Sequence, residues 1–386
     1  VSGTSNLGAN VSSTGTQTYT GAVTLSSNVA LTTTNDLFSF GSTVDSDSTA
    51  RDLTLDSGSA TITITGAIGA TNALDVITIT QSGGTTFTGA VNADTVTLTD
   101  TTGNVTFAGS TTLTTLNTAS QTYNVLFTGA SNTITNAVTF SNTGYIKFGD
   151  ESGDSSTFNN GLTTTAPSGI RLAGKLKTSN DAMSLGDANT AIVLYANSEL
   201  DTGSAALTIN TTIDGGYNLT LKSTAATTFV GIVGGSTPLA RITTNSGGTV
   251  VFNTTAITTS GYQYYNEAAT LGGNITFTSA NNDVRFYNTL NSDSTTRTLD
   301  TATTSGWTRF FGAVGGSQAL GNITINTSNL SATAIKVQGT LAITNAGAGS
   351  ITGIISDGDS AAILTKAGAG TLTLSGDNTF TGAVTV

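Results

Sequence analysis

The side chains able to do chemistry are few, and most of them are carboxylates in short loops. Asp45, Ser46 and Asp47, then Asn291, Ser292 and Asp293, and then Asp150 to Asp154 each bring hard oxygen donors together, the donor type that Ca²⁺ prefers. None completes a calcium-loop signature, and the nonapeptide calcium repeat is absent. The plainer reading is a turn whose Asp and Ser oxygens accept nearby backbone N–H groups. Arg51 and Arg297 stand four residues after Asp47 and Asp293, which predicts loop ion pairs worth ~0–1 kcal/mol. Hydrolysis or lysis of a polysaccharide needs paired carboxylates, or a carboxylate–metal site with a basic residue. Glu occurs only as Glu151, Glu199 and Glu267; Asp214 sits in a Gly-rich turn, and Asp357 and Asp359 flank Gly358. A carboxylate pair built between distant segments would be invisible in sequence, so a lyase stays as a lesser alternative. The run Tyr262, Gln263, Tyr264, Tyr265 offers rings that can stack on sugars, against the plainer reading of strand and core aromatics. Its counterpart, Tyr19, lies between two threonines.

Absent residue types narrow the chemistry further. The chain has no His and no Cys. It therefore has no imidazole base, no triad partner and no thiolate-held zinc. We assign no catalytic residue, no cofactor and no metal ligand, and expect no enzyme activity. The net charge of -11, from 12 basic and 23 acidic residues, argues against nucleic acid and against docking on anionic lipid. No apolar run is long enough to span a membrane as a helix.

The elements that must position these residues are strands. Thr makes up about a fifth of the 386 residues and Gly numbers 46; Thr favours strands and Gly punctuates turns. Only 9% of residues are charged, so the strands carry a hydroxyl-rich surface. Apolar and hydroxyl residues alternate in runs such as Thr61 to Thr65, Val76 to Thr80, Asn104 to Phe107, Asn218 to Leu221 and Asn322 to Ile325. Such runs recur every ~8–12 residues between Gly, Asn and Ser. No stretch keeps an apolar pattern at helical spacing, and Asn266 to Thr270 is too short for a helix of its own.

The chain also repeats itself. Residues 15–79 align without a gap on 261–325, with 26 of 65 pairs identical. A partial copy lies near 180–244, where Phe229 to Ser236 matches Phe310 to Ser317, and a decayed fourth copy falls near Phe148 and Gly149. The middle, 100–200, does not align in one register. Gly15 to Leu25 reappears as Gly376 to Val386. Two architectures suit this spacing: a parallel β-solenoid, and a string of β-sandwich domains. The lone Trp307, the conserved apolar register of the copies and the lack of a Pro-rich linker favour the solenoid. We expect one elongated β-solenoid over 1–386, with about 15–19 coils of 20–25 residues. Val, Leu, Ile and Phe would point inward and Thr outward.

The segment Lys366 to Gly382 resembles the passenger-associated transport repeat of bacterial autotransporters, with the pattern G-x-G-T-L-x-L-x-G-x-N-T-Y/F-x-G met from Gly368 to Gly382. The rest is similar in style to the Gly/Thr/Asn-rich passengers of that family and to filamentous-haemagglutinin-type secreted proteins. The resemblance implies a right-handed parallel β-helix on the outer surface of a diderm bacterium. The family's C-terminal outer-membrane barrel is missing, so the chain reads as a fragment, a processed passenger or one unit of an array. The unit shared by both ends suggests head-to-tail stacking into a homopolymer. The expected function is a structural stalk, fibre or sheath subunit outside the cell. The alternative is an adhesin passenger that contacts glycans or surface proteins. An ice-binding Thr array is a further lesser alternative, which would need strict register along one face.

Overall fold

Alternation in these runs becomes alternation in space. In the strand Thr61–Ile64, Ile62 and Ile64 are buried while Thr61 and Thr63 point away, because successive side chains of a strand face opposite sides. The same pattern marks Asn104–Phe107, Ala226–Phe229 and Ile275–Ser279. The computed structural model describes residues 1–386. It is all strand and turn, with no helix, and the strands pair in parallel with equivalents one coil away. The chain is thus a parallel β-solenoid of about 18 coils. It divides into two compact units, Val1–Asn197 and Ser198–Val386.

In the first unit, one inward position runs Ser5, Val23, Val44, Ile68, Val91 and Thr111 through successive coils. Coil length therefore varies from 18 residues (5 to 23) to 24 (44 to 68). The neighbouring face carries a phenylalanine column. Phe87, Phe107, Phe127 and Phe148 stack with ring centroids 5.0, 5.1 and 6.1 Å apart, within 10° of parallel. Phe140 and Phe158 meet this column edge-on. Each buried ring or branched side chain contributes roughly 1.5–3 kcal/mol. Segment 100–134, which resists alignment as a long repeat, forms regular coils of its own, with Val105 on Val125 and Phe107 on Phe127.

Glycine is required at one corner of this unit. Gly66, Gly89, Gly109 and Gly129 occupy it in four successive coils. A Cβ on Gly109 would lie 2.2 Å from the carbonyl oxygen of Gly89, and one on Gly129 would lie 2.2 Å from that of Gly109. Backbone packs on backbone there, and no side chain fits between.

In the second unit the aromatic column is Tyr265, Phe286 and Phe310, with centroids 5.0 and 5.5 Å apart. Phe277 and Phe252 pack against it edge-on. The duplication seen in the sequence is reproduced in atomic detail. Tyr265 donates to Gln263 Oε1 at 3.1 Å, and Gln263 Nε2 donates to the carbonyls of Ile257 and Thr278 at 3.1 and 2.8 Å. In the first unit Tyr19 donates to Gln17 Oε1 at 3.1 Å, and Gln17 Nε2 to Val11 and Thr32 at 3.3 and 2.9 Å. The partial copy shares the same turn. Gly69, Gly234 and Gly315 take φ of 66°, 69° and 73°, a left-handed conformation that glycine adopts without strain.

Candidate binding face

The acidic loops are closed by their own partners. Arg51 Nε and Nη2 donate to the two carboxylate oxygens of Asp47 at 3.0 and 2.8 Å, and Thr49 N–H donates to Oδ1 at 2.9 Å. Arg297 grips Asp293 in the same fork at 3.0 and 2.7 Å, with Thr295 N–H at 2.8 Å. These hydrogen bonds, led by that of the guanidinium, hold both carboxyls below the ordinary carboxylate range. Asp45, Asp214 and Asn291 play one role at equivalent turns: each Oδ1 accepts a backbone N–H from the next coil, of Thr71, Ser236 and Ser317 respectively, at 2.8–2.9 Å. In the third loop, Asp154 Oδ2 accepts N–H groups of Asp150 and Glu151 at 2.9 and 3.0 Å. Burial and the hydrogen bond to Asp154 push the Asp150 carboxyl upward. No group of three or more Asp and Glu side chains gathers as a metal site would require.

The three glutamates lie in three different settings. Glu151 is exposed. Glu199 pairs with Lys222 at 2.9 Å. Glu267 is buried, at 1% exposure. Asp357 accepts from Ala362 N–H at 2.7 Å and from Thr381 Oγ1 at 2.8 Å, which is turn chemistry. Outward threonines line up only briefly: Thr63, Thr86 and Thr106 form a row, and the next coils put Leu126, Lys147 and Arg171 in it.

The site the coils do assemble is aromatic and cationic, and it lies on the second unit. Of the four-residue run 262–265, alternation turns Gln263 and Tyr265 into the core and leaves Tyr262 and Tyr264 outside. Parallel register then stacks one outward row: Thr243, Tyr264, Arg285, Arg309 and Ser331. Tyr262 and Tyr264 stack at 4.0 Å, and Tyr264 meets Tyr287 edge-on at 6.0 Å. Tyr287 in turn stacks on Phe311 at 4.9 Å; both rings are well exposed. Each arginine lies over a ring. Arg241 is 4.7 Å from the Tyr262 centroid, Arg285 4.7 Å from Tyr264, and Arg309 4.2 Å from the indole of Trp307, the geometry of cation–π attraction.

Charge on this face is only partly neutralised. Arg285 Nε donates to Asp283 Oδ2 at 2.9 Å, and Asp283 Oδ1 also accepts the backbone N–H of Trp307 at 2.8 Å. Arg241 and Arg309 make none of the chain's ion pairs, and Arg309 Nε is buried without an acceptor. Flat rings beside guanidinium forks are groups that can hold a ligand. Sequence reasoning picked out Tyr262 to Tyr265 and missed Arg241, Arg285, Trp307, Arg309 and Phe311. The signal available was the strand alternation of Val284–Phe286 and Leu299–Phe310, which places Arg285, Trp307 and Arg309 outward. A smaller relative lies on the first unit, where Arg171 sits 3.6 Å over Tyr145 and 5.7 Å from Tyr195.

The fold defines a class: a passenger-like parallel β-solenoid. The passenger-associated-transport-repeat family model matches residues 364–386, over the segment that carries the glycine and Asn-Thr-Phe pattern. Repeat and solenoid together mark the chain as similar to autotransporter passengers, a family of secreted or surface proteins. No curated protein and no solved structure matches the chain.

Proposed function

We propose that the chain is a structural component of the bacterial outer surface, a stalk, fibre or sheath subunit without catalytic activity. The observation that carries this is the in-register apolar ladder inside each unit beneath a sparsely charged, hydroxyl-rich exterior. Its acidic loops are occupied by arginines and backbone N–H groups rather than held ready for substrate. Head-to-tail stacking of copies is part of the proposal and rests on the unit shared by Gly15 to Leu25 and Gly376 to Val386. Negative-stain microscopy over a concentration series tests it. Fibres that lengthen with concentration are expected; particles of one size at every concentration would remove the polymer.

A second reading is favoured by the aromatic and arginine face. Here the chain is an adhesin passenger that contacts glycans or proteins of neighbouring cells. Adherence of the labelled chain to a panel of bacterial and epithelial cells tests that reading, and absence of adherence to all of them would count against it.

A further inference from the structure

We infer that the face built by Tyr264, Arg285, Trp307 and Arg309 binds a linear polysaccharide bearing carboxylates, a polyuronate. The inference rests on the adhesin reading and gives that contact a ligand class.

The two copies within the chain agree inside the coil and differ on this face. Inward positions are retained between them: Gln17 and Gln263, Tyr19 and Tyr265, Phe40 and Phe286, with the same hydrogen bonds and ring stacking. Outward positions of this patch change together. Tyr262 and Tyr264 stand where the first copy has Thr16 and Thr18; Arg285 and Tyr287 replace Ser39 and Gly41. Trp307, Arg309 and Phe311 replace Thr61, Thr63 and Thr65. The solenoid tolerates small residues, Thr, Ser or Gly, at these positions, as the first copy demonstrates. The coil therefore forms without these rings and guanidinium groups, whose contacts with one another build an outward surface that the first copy lacks.

That surface selects its ligand by chemistry. Guanidinium forks match planar carboxylates with two parallel hydrogen bonds. In a chain of net charge -11, Arg241 and, two and three coils further on, Arg285 and Arg309 form a local positive strip, in which Asp283 pairs with Arg285 alone. Exposed rings beside them offer flat apolar faces to the C–H faces of sugar rings. Neighbouring coils are ~4.8 Å apart, so an extended polymer laid along the coils would pass the rings and arginines of several coils in turn. An acidic peptide would satisfy the arginines and leave the rings unused.

Trp307 is the only tryptophan, so its fluorescence reports on this face. The full chain is titrated with polygalacturonate, with amylose as the neutral polymer, dextran sulfate as the sulfated one and poly-glutamate as the peptide. Polygalacturonate is expected to shift the Trp307 emission and to bind more weakly as salt rises. The double variant Tyr264→Thr/Arg309→Thr, which restores the residues of the first copy, is expected to melt like the parent and to bind at least ~10-fold more weakly. Equal binding of amylose, dextran sulfate or poly-glutamate, or unchanged binding by the double variant, would overturn the inference. Cell adherence separates the two levels. If polygalacturonate fails but the double variant loses adherence, the ligand class is wrong and the contact reading stands. If the parent neither binds polygalacturonate nor adheres, both fall.

Discussion

Tyr265 donates its hydroxyl proton to Gln263 Oε1 at 3.1 Å in the core of one unit, and Tyr19 does the same to Gln17 in the other. Both members of the first pair are fully buried. A buried hydroxyl or amide left without a partner costs about 1–3 kcal/mol, so the two side chains depend on each other.

Removing one member should expose that dependence. Gln263→Leu leaves the carbonyls of Ile257 and Thr278 without the amide that now serves them, and should cost ~2–3 kcal/mol. Tyr265→Phe removes a single bond and should cost about 1 kcal/mol. Because the two side chains share one network, the double variant should cost less than the sum. Gln17→Leu should show the same effect at smaller size, since Gln17 is less completely buried. Urea unfolding of the four variants measures this, and strict additivity would mean the network is not coupled.

The glycine column makes a sharper demand. Gly109→Ala would place a methyl group 2.2 Å from the Gly89 carbonyl oxygen, whereas a Cβ on Gly15 has nothing within 4 Å. Overpacking against backbone should cost ~3 kcal/mol at position 109. Gly15→Ala should be close to neutral. Thermal melting of the pair reads the difference, and equal melting points would show that the corner yields.

Much of this was legible because it is local. In Thr61 to Thr65, alternation alone assigns Ile62 and Ile64 to the core, and the spacing of Asp47 and Arg51 announces their ion pair. The repeat of 15–79 in 261–325 carried the Gln17 and Tyr19 pattern to Gln263 and Tyr265 before any contact was known. What stayed hidden depends on coil length. Tyr264 meets Arg285 after 21 residues and Arg285 meets Arg309 after 24; loops of changing length set those intervals, and nothing in the strands themselves encodes them. Inward hydroxyls were missed for a related reason. Ser82, Thr85 and Thr101 are buried, and the Ser82 hydroxyl bonds to both threonines at 3.1 Å; Thr101 is a neighbour that only the coil register brings near.

The acidic loops yield a prediction about calcium. Asp47 and Asp293 already hold guanidinium groups, and the Asp154 carboxylate caps the N–H groups of Asp150 and Glu151. A cation would have to displace these donors. The melting temperature should therefore stay the same with millimolar calcium and with chelator; a rise with calcium that Asp154→Asn abolishes would revive the third loop as a metal site.

Glu267 predicts an unusual pH dependence. Its side chain is turned inward beside Gly248, and neither carboxylate oxygen has a partner at hydrogen-bonding geometry. Burial raises its pKa from 4.5 to about 7, an effect the nearby Thr244 hydroxyl and Gly248 N–H offset only in part. The folded state thus holds a proton that the unfolded chain has released between pH 4.5 and 7. Stability falls as pH rises through that window and stays low above it. Asp47, Asp293 and Asp357 have lowered values, so they act the opposite way, losing stabilisation only as pH drops below the ordinary carboxylate range. Glu267→Gln separates the two effects, because its amide cannot ionise. The variant should match the parent near pH 4.5 and exceed it at pH 8 by up to ~3 kcal/mol. Urea unfolding at both values measures the gap, and a gap that does not grow between them would mean that Glu267 ionises in the core without cost.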